Sequence, residues 1–155
     1  MKEHVDEYIR KLELIAVKIR KHIIEMLYRA KSGHPGGSLS AVEAIVALYF
    51  HHMRHDPKHP KNPDRDRFVL SKGHAAPALY AVLAECGYFD VKELYFLRQI
   101  NCMLQGHPVC THIPGVEASK GSLGKGLSFA YGIELAGKLD KTDYRVYVMV
   151  GEGAP

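Results

Sequence analysis

Three histidines in this chain each follow a glycine: Gly33-His34, Gly73-His74 and Gly106-His107. An imidazole can donate, accept or carry charge near neutral pH, so it suits a phosphate oxygen or a substrate hydroxyl. A glycine beside it frees the backbone and lets a ligand approach closely. The first pair lies in Ser32-Gly33-His34-Pro35-Gly36-Gly37, which is not how a chain makes an ordinary helix-to-helix connection. A second constellation, Gly121-Ser122-Leu123-Gly124-Lys125-Gly126, opens a predicted helix. Glycines there expose backbone N–H groups at the positive end of the helix dipole, which makes an anion site. The competing reading of that segment is a flexible helix entry. It is not a Walker loop, because it lacks GKS or GKT at the required spacing.

The other candidate ligands do not assemble by spacing. His51, His55 and His59 step by four, but Pro57 and Pro60 interrupt any helix that would align them. His107, Cys110 and His112 lie close together without an evident fourth ligand. Cys86, Cys102 and Cys110 form no CxxC pair, which argues against a disulfide framework and a cysteine zinc site. The net charge of +4 is spread, with bases and acids interleaved as in KHPKNPDRDR, so no clustered nucleic-acid footprint is expected. With 46% hydrophobic and 25% charged residues, the 155-residue chain reads as one globular domain able to bury a core. MKEHVDEYIRK has no apolar signal core and no run is long enough for a membrane span, so a cytoplasmic location is expected.

The elements that must position these residues follow from periodicity. Ile9, Leu12, Ile15, Ala16, Ile19, Ile23, Met26, Leu27 and Ala30 recur at three- and four-residue steps and predict an amphipathic helix over 8–31. Ser40 and Glu43 predict a capping box for a helix over 41–50. Prolines 57, 60 and 63 predict a surface loop over 56–66. Phe68-Val69-Leu70 reads as a short buried strand, and a helix over 77–86 should stop at Gly87. Asp90 and Glu93 predict a capped helix to about residue 98. Residues 99–126 form a long aperiodic stretch, then a helix over 124–139 and a strand over 144–150.

This order predicts an α/β fold with a parallel sheet flanked by helices. Ligands in such sheets gather beyond the C-terminal ends of the strands, where Ser71-Lys72-Gly73-His74 and Gly151-Glu152-Gly153 are expected. Two strands are few for a parallel sheet, so the fold is expected to be incomplete at its C-terminus and to be completed elsewhere.

Taken together, the motifs resemble the thiamine-diphosphate-binding part of transketolases. Arg20, Ile24, Glu25, residues 32–36, Leu39 and Ser40 match that family's first signature. LSKGH at 70–74, GHP at 106–108, GSLGKG at 121–126 and the strand ending at 151–153 match four further motifs in the same order. The resemblance implies ketol transfer between sugar phosphates, using thiamine diphosphate with Mg²⁺ or Ca²⁺. It implies that residues 1–155 are the N-terminal portion of that domain. His34 and His107 would face substrate, and His74 would contact the diphosphate. Gly121, Ser122, Leu123, Gly124 and Gly153 would lie against the cofactor, and Glu152 at the metal. The implied partner is a C-terminal transketolase chain, a homodimer partner, or both; no nucleic acid or membrane is expected.

Three positions depart from the family: Lys125 replaces a glutamine, Lys120 a threonine, and Glu152 the metal-binding aspartate. Glutamate is one methylene longer, and the family's metal-binding asparagine lies beyond Pro155. The isolated chain is therefore expected to bind Mg²⁺–diphosphate weakly. Two alternatives accompany this reading. One is a non-catalytic remnant or interaction subunit. The other is an enzyme like deoxyxylulose-phosphate synthase, whose first motif reads GGHL instead.

Overall fold

The computed structural model describes residues 2–119 and 125–151. Helix α1 (Lys2–Ala30) begins six residues before the predicted start, because nothing between Lys2 and Tyr8 breaks a helix. It buries Ala16, Ile19, Ile23 and Met26 along one face. Left-handed backbone at Lys31 (φ 48°) and the φ of 133° at Gly33 end it.

The next turn holds a short helix that the sequence reading missed, α2 (Pro35–Leu39), followed closely by α3 (Val42–Ala47). The predicted capping box does not form. Ala41 is the N-cap of α3, the Ser40 hydroxyl donates back to the Gly37 carbonyl at 3.2 Å, and Glu43 pairs with Arg20 instead. The reason is that α2 runs almost straight into α3, so Ser40 meets carbonyls behind it. The helix continues past its predicted end through a π turn, Leu48–His52.

Strands β1 (Arg67–Leu70) and β2 (Val146–Met149) pair in parallel, from Arg67 opposite Val146 to Leu70 opposite Met149. Phe68, Val69 and Leu70 are buried, whereas β2 is half-buried throughout. From β1 a 3₁₀ turn, Gly73–Ala75, leads into α4 (Ala76–Cys86), which is buried continuously from Ala76 to Ala84. A helix buried on all sides is the centre of the molecule. Gly87, at φ 91°, ends it as predicted.

The predicted helix after Asp90 is a 3₁₀ helix, Val91–Phe96. Asp90 still caps it, accepting from the Lys92 N–H at 2.8 Å. Val91, Leu94 and Leu97 repeat every three residues, and Leu94 and Leu97 are buried, which matches three residues per turn. Helices α1, α3 and α4 and this 3₁₀ segment enclose one core. On the other side α5 (Lys125–Leu139) lies against the strands. No helix among the described residues is long and apolar enough to cross a membrane.

Candidate functional site

Because β1 and β2 are parallel, both chain segments leave the sheet at the same end. The Ser71 N–H donates to the Met149 carbonyl at 2.8 Å, and a β-carbon on Gly151 would lie 3.8 Å from that of Lys72. The chain after β1 then tightens into the 3₁₀ turn that carries His74. Its ring stands edge-on to that of His34, with centroids 5.6 Å apart and planes at 68°. A β-carbon on Gly37 would come within 2.8 Å of Cδ2 and Nε2 of His74. The last glycine of the GHPGG turn thus makes the space in which His74 sits.

The third glycine-preceded histidine joins the same neighbourhood electrostatically. Burial, followed by the charges of His34, Lys72 and His107, holds the His74 pKa below its ordinary value. His34 and His107 are themselves exposed, while His74 is half-buried. The cluster therefore has one sheltered imidazole, in which burial disfavours the charged form, and two imidazoles open to solvent. Its supports come from the core. The Tyr80 hydroxyl of α4 donates to the Gln105 carbonyl at 2.8 Å, just before Gly106-His107. A β-carbon at Gly33 would strike Leu27 Cδ2 at 2.3 Å, so close packing on α1 fixes the first turn.

A donor-rich corner adjoins the histidines. The N-terminal turn of α5 sits directly on the end of β1, where a β-carbon at Gly126 would be 2.5 Å from Ser71 Oγ and 2.7 Å from Ser71 Cα. Ser71 is 1% exposed, yet its hydroxyl has no hydrogen-bond partner among the described residues, and the same holds for Ser38 at 0%. A buried hydroxyl without a partner is costly unless something else bonds to it. Lys72 and Lys125 add positive charge. Gly121, Ser122, Leu123, Gly124, Glu152 and Gly153 lie outside the described residues, as does Lys120. Sequence reasoning put Ser71 at the strand end where ligands gather but not its unpartnered hydroxyl, and it missed Ser38. Isolated serines carry no signal until their burial is known.

Other motif residues are placed elsewhere. Arg20 pairs with Glu43, Glu25 with Arg29 at 2.9 Å, and Ile24 is 51% exposed, all on or beside the outer face of α1. The other histidines whose side chains are described are structural or solvated. His55 Nε2 bonds the Tyr49 carbonyl at 2.7 Å and its Nδ1 the Tyr88 hydroxyl at 3.0 Å. Nε2 must carry a proton to meet a carbonyl, which leaves Nδ1 to accept from the tyrosine. Burial pushes the Tyr88 hydroxyl up to about 12. His51 meets Tyr8, and His59 meets Asp56. Among the described residues no group of three or more His, Cys, Asp or Glu is placed to hold a metal ion.

The family described as "Transketolase, thiamine diphosphate binding domain" matches residues 12–154. The chain belongs to that family. It is 44% identical over 145 residues to one of the subunits of the apulose-4-phosphate transketolase of Phocaeicola vulgatus, covering 94% of this chain and 51% of that protein. It is 44% identical over 135 residues to the 6-deoxy-6-sulfo-D-fructose transketolase subunit SqwG of a Clostridium species, covering 87% of this chain and 49% of that protein. The solved transketolase of Leishmania mexicana superposes with a TM-score of 0.86 at 32% identity, over 92% of this chain and 23% of that one. The chain thus spans about half the length of the two bacterial relatives.

The residues present fit the diphosphate of the cofactor after which the family is named. A sheltered histidine, an unpartnered buried hydroxyl and a helix start packed on a strand end supply donors without an opposing carboxylate among the described residues that surround them.

Proposed function

We propose that residues 1–155 form the N-terminal portion of the thiamine-diphosphate-binding domain of a cytoplasmic transketolase. With a complementary chain, a second copy, or both, it would transfer a two-carbon ketol unit between sugar phosphates. The observation that carries this reading is the meeting of His34, His74 and the α5 start at the one end of the sheet where both strands finish. That two relatives are named as subunits supports a complementary chain.

In this reading His74 donates to the diphosphate, assisted by the Ser71 hydroxyl and the N-terminal turn of α5. Gly121, Ser122, Leu123, Gly124 and Gly153 complete the cradle, as the family resemblance implies. A divalent ion, Mg²⁺ or Ca²⁺, would take its carboxylate from Glu152, and the looser oxygen shell of Ca²⁺ suits the longer side chain better. Thiamine diphosphate, when bound, supplies the making and breaking of the carbon–carbon bond. The protein binds, orients and moves protons. His34 and His107, both exposed, would hydrogen-bond substrate hydroxyls and take or return a proton there, as the family resemblance implies. Burial and the neighbouring charges disfavour the protonated form of His74, and a bound anion would favour it.

The test is a titration of thiamine diphosphate and divalent metal into the chain assembled with its complementing part, alongside a ketol-transfer assay. His74→Ala should weaken cofactor binding by about 1.5–3 kcal/mol, the range of a charge-assisted hydrogen bond. His34→Ala and His107→Ala should lower turnover with cofactor affinity nearly intact. Unchanged cofactor affinity in His74→Ala would overturn the assignment.

A further inference from the structure

Arg98 joins two of the turns described above. Its Nη1 donates to Ser32 Oγ at 2.6 Å, sixty-six residues away in sequence. A β-carbon on Gly106 would lie 3.2 Å from Cζ, Nε and Nη2 of the same guanidinium. Three equal distances mean that the guanidinium plane faces the space a β-carbon on Gly106 would take, and a side chain there would push it back by a few tenths of an ångström. One side chain therefore touches the residue two before His34 and the residue just before His107.

The base of this side chain is fixed. Leu97 and Leu104 are buried at 2% and 0%, and the Arg98 N–H donates to the Leu104 carbonyl at 2.8 Å, closing the intervening loop onto the core. Arg98 itself has φ 63°, the left-handed region that a residue with a β-carbon seldom adopts. Non-glycine residues in such conformations persist where the surroundings over-determine them, commonly at functional sites. Among the described residues no carboxylate forms an ion pair with Arg98, so charge pairing does not explain its placement. Lysine could reach Ser32 but could not lay a planar fork on Gly106.

We propose that Arg98 is a positioning residue that sets the spacing of His34 and His107 by clamping Ser32 against Gly106. The proposal rests on the reading of those histidines as substrate-facing. Arg98→Met in the assembled enzyme should lower kcat by about 10- to 100-fold, the scale of a small misplacement. Thiamine diphosphate affinity should change less than about two-fold, because the clamp does not touch His74 or α5. Arg98→Lys should recover only part of the loss, and Gly106→Ala should reproduce it. Amide NMR of the chain, independent of any reaction, should show shifts at 32–34 and at 106 and 107 in Arg98→Met. Undisturbed amides at both turns, or an unchanged kcat, would overturn the clamp. Loss of kcat, cofactor affinity and thermal stability together would also overturn it, since that marks a general structural role. Disturbed amides in an enzyme that transfers no ketol group, even unmodified, would support the clamp and remove the functional reading instead.

Discussion

At the N-terminal end of the strand pair, Asp66 is 2% exposed and accepts from the N–H groups of Arg54 and Arg145 at 2.9 and 2.8 Å and from the Arg54 guanidinium at 3.3 Å. Arg54 also binds Asp143, and Arg65 and Arg67 converge on Glu117. At the C-terminal end, Ser71 has no partner among the described residues, His74 sits among cationic neighbours, and glycines stand where β-carbons would fill the space. Both ends carry polar and charged side chains. At one end the buried carboxylates of Asp66 and Glu117 are met by arginines and backbone N–H groups, so the groups fix strand position; at the other a buried hydroxyl is left without a partner among the described residues. Counting charges would not separate these cases, but pairing does.

The largest effect expected from breaking this contrast is at Asp66. Burial alone would raise its carboxyl pKa, but the Arg54 and Arg145 N–H groups and the Arg54 guanidinium hold it below the usual value. Its contribution is therefore present above the unfolded carboxylate pKa and is lost as pH falls through the lower folded one. Asp66→Ala should cost about 3 kcal/mol in urea unfolding, since it strands buried donors. Pyrophosphate affinity of the folded protein should be unaltered. A loss near zero would mean that the N-terminal end is not held by pairing.

Gly126→Ala comes next. Its β-carbon would meet Ser71 Cα at 2.7 Å, and backbone cannot swing away as a side chain can. A stability loss of about 1–3 kcal/mol is expected, as for overpacking. Pyrophosphate affinity should fall as well, because α5 must lift from the strand end. Calorimetry at matched folded fractions separates the two effects.

A smaller effect concerns pH. Because burial, His34, Lys72 and His107 lower the His74 pKa from 6.5, the unfolded chain binds the proton more readily. Stability from this group is complete above 6.5 and declines as pH falls from there to the folded midpoint. His74→Gln should flatten that part of the stability–pH curve. Pyrophosphate should reverse the shift, so binding should take up a proton at neutral pH. Titration in buffers of different ionisation heat reads this directly, and proton release would contradict it.

Ser71→Ala should be the mildest. Removing an unpartnered buried hydroxyl should leave stability within about 1 kcal/mol of the parent, or raise it slightly. Pyrophosphate affinity should nevertheless decrease. Marked destabilisation would show that Ser71 belongs with the paired groups at the opposite end.

Much of this organisation was legible beforehand. Ile19, Ile23 and Met26 announced the buried face of α1 because a helix repeats its facing positions every three or four residues whatever it packs against. Gly87 announced the end of α4 because left-handed backbone is easiest for glycine. The GHP and GHPGG turns announced themselves by residue type. Local chemistry decides such features, and sequence displays local chemistry.

Tertiary structure decided the rest. Ser40 and Glu43 had the spacing of a capping box, but α2 lay directly behind and Arg20 drew Glu43 away. Val91 and Leu94 lie in a 3₁₀ helix with Leu97 as its C-cap because the core accepted a three-residue repeat there. His55 and His74 are the same residue type, each close to a proline in sequence. One became a strut between two tyrosines, the other a sheltered donor beside His34. Which serine lost its partners and which arginine reached across sixty-six residues depended on distances that no local pattern encodes. Sequence by itself determined the turns, the helix faces and the family; only packing determined which polar groups were satisfied, because satisfaction belongs to pairs of residues distant in the chain.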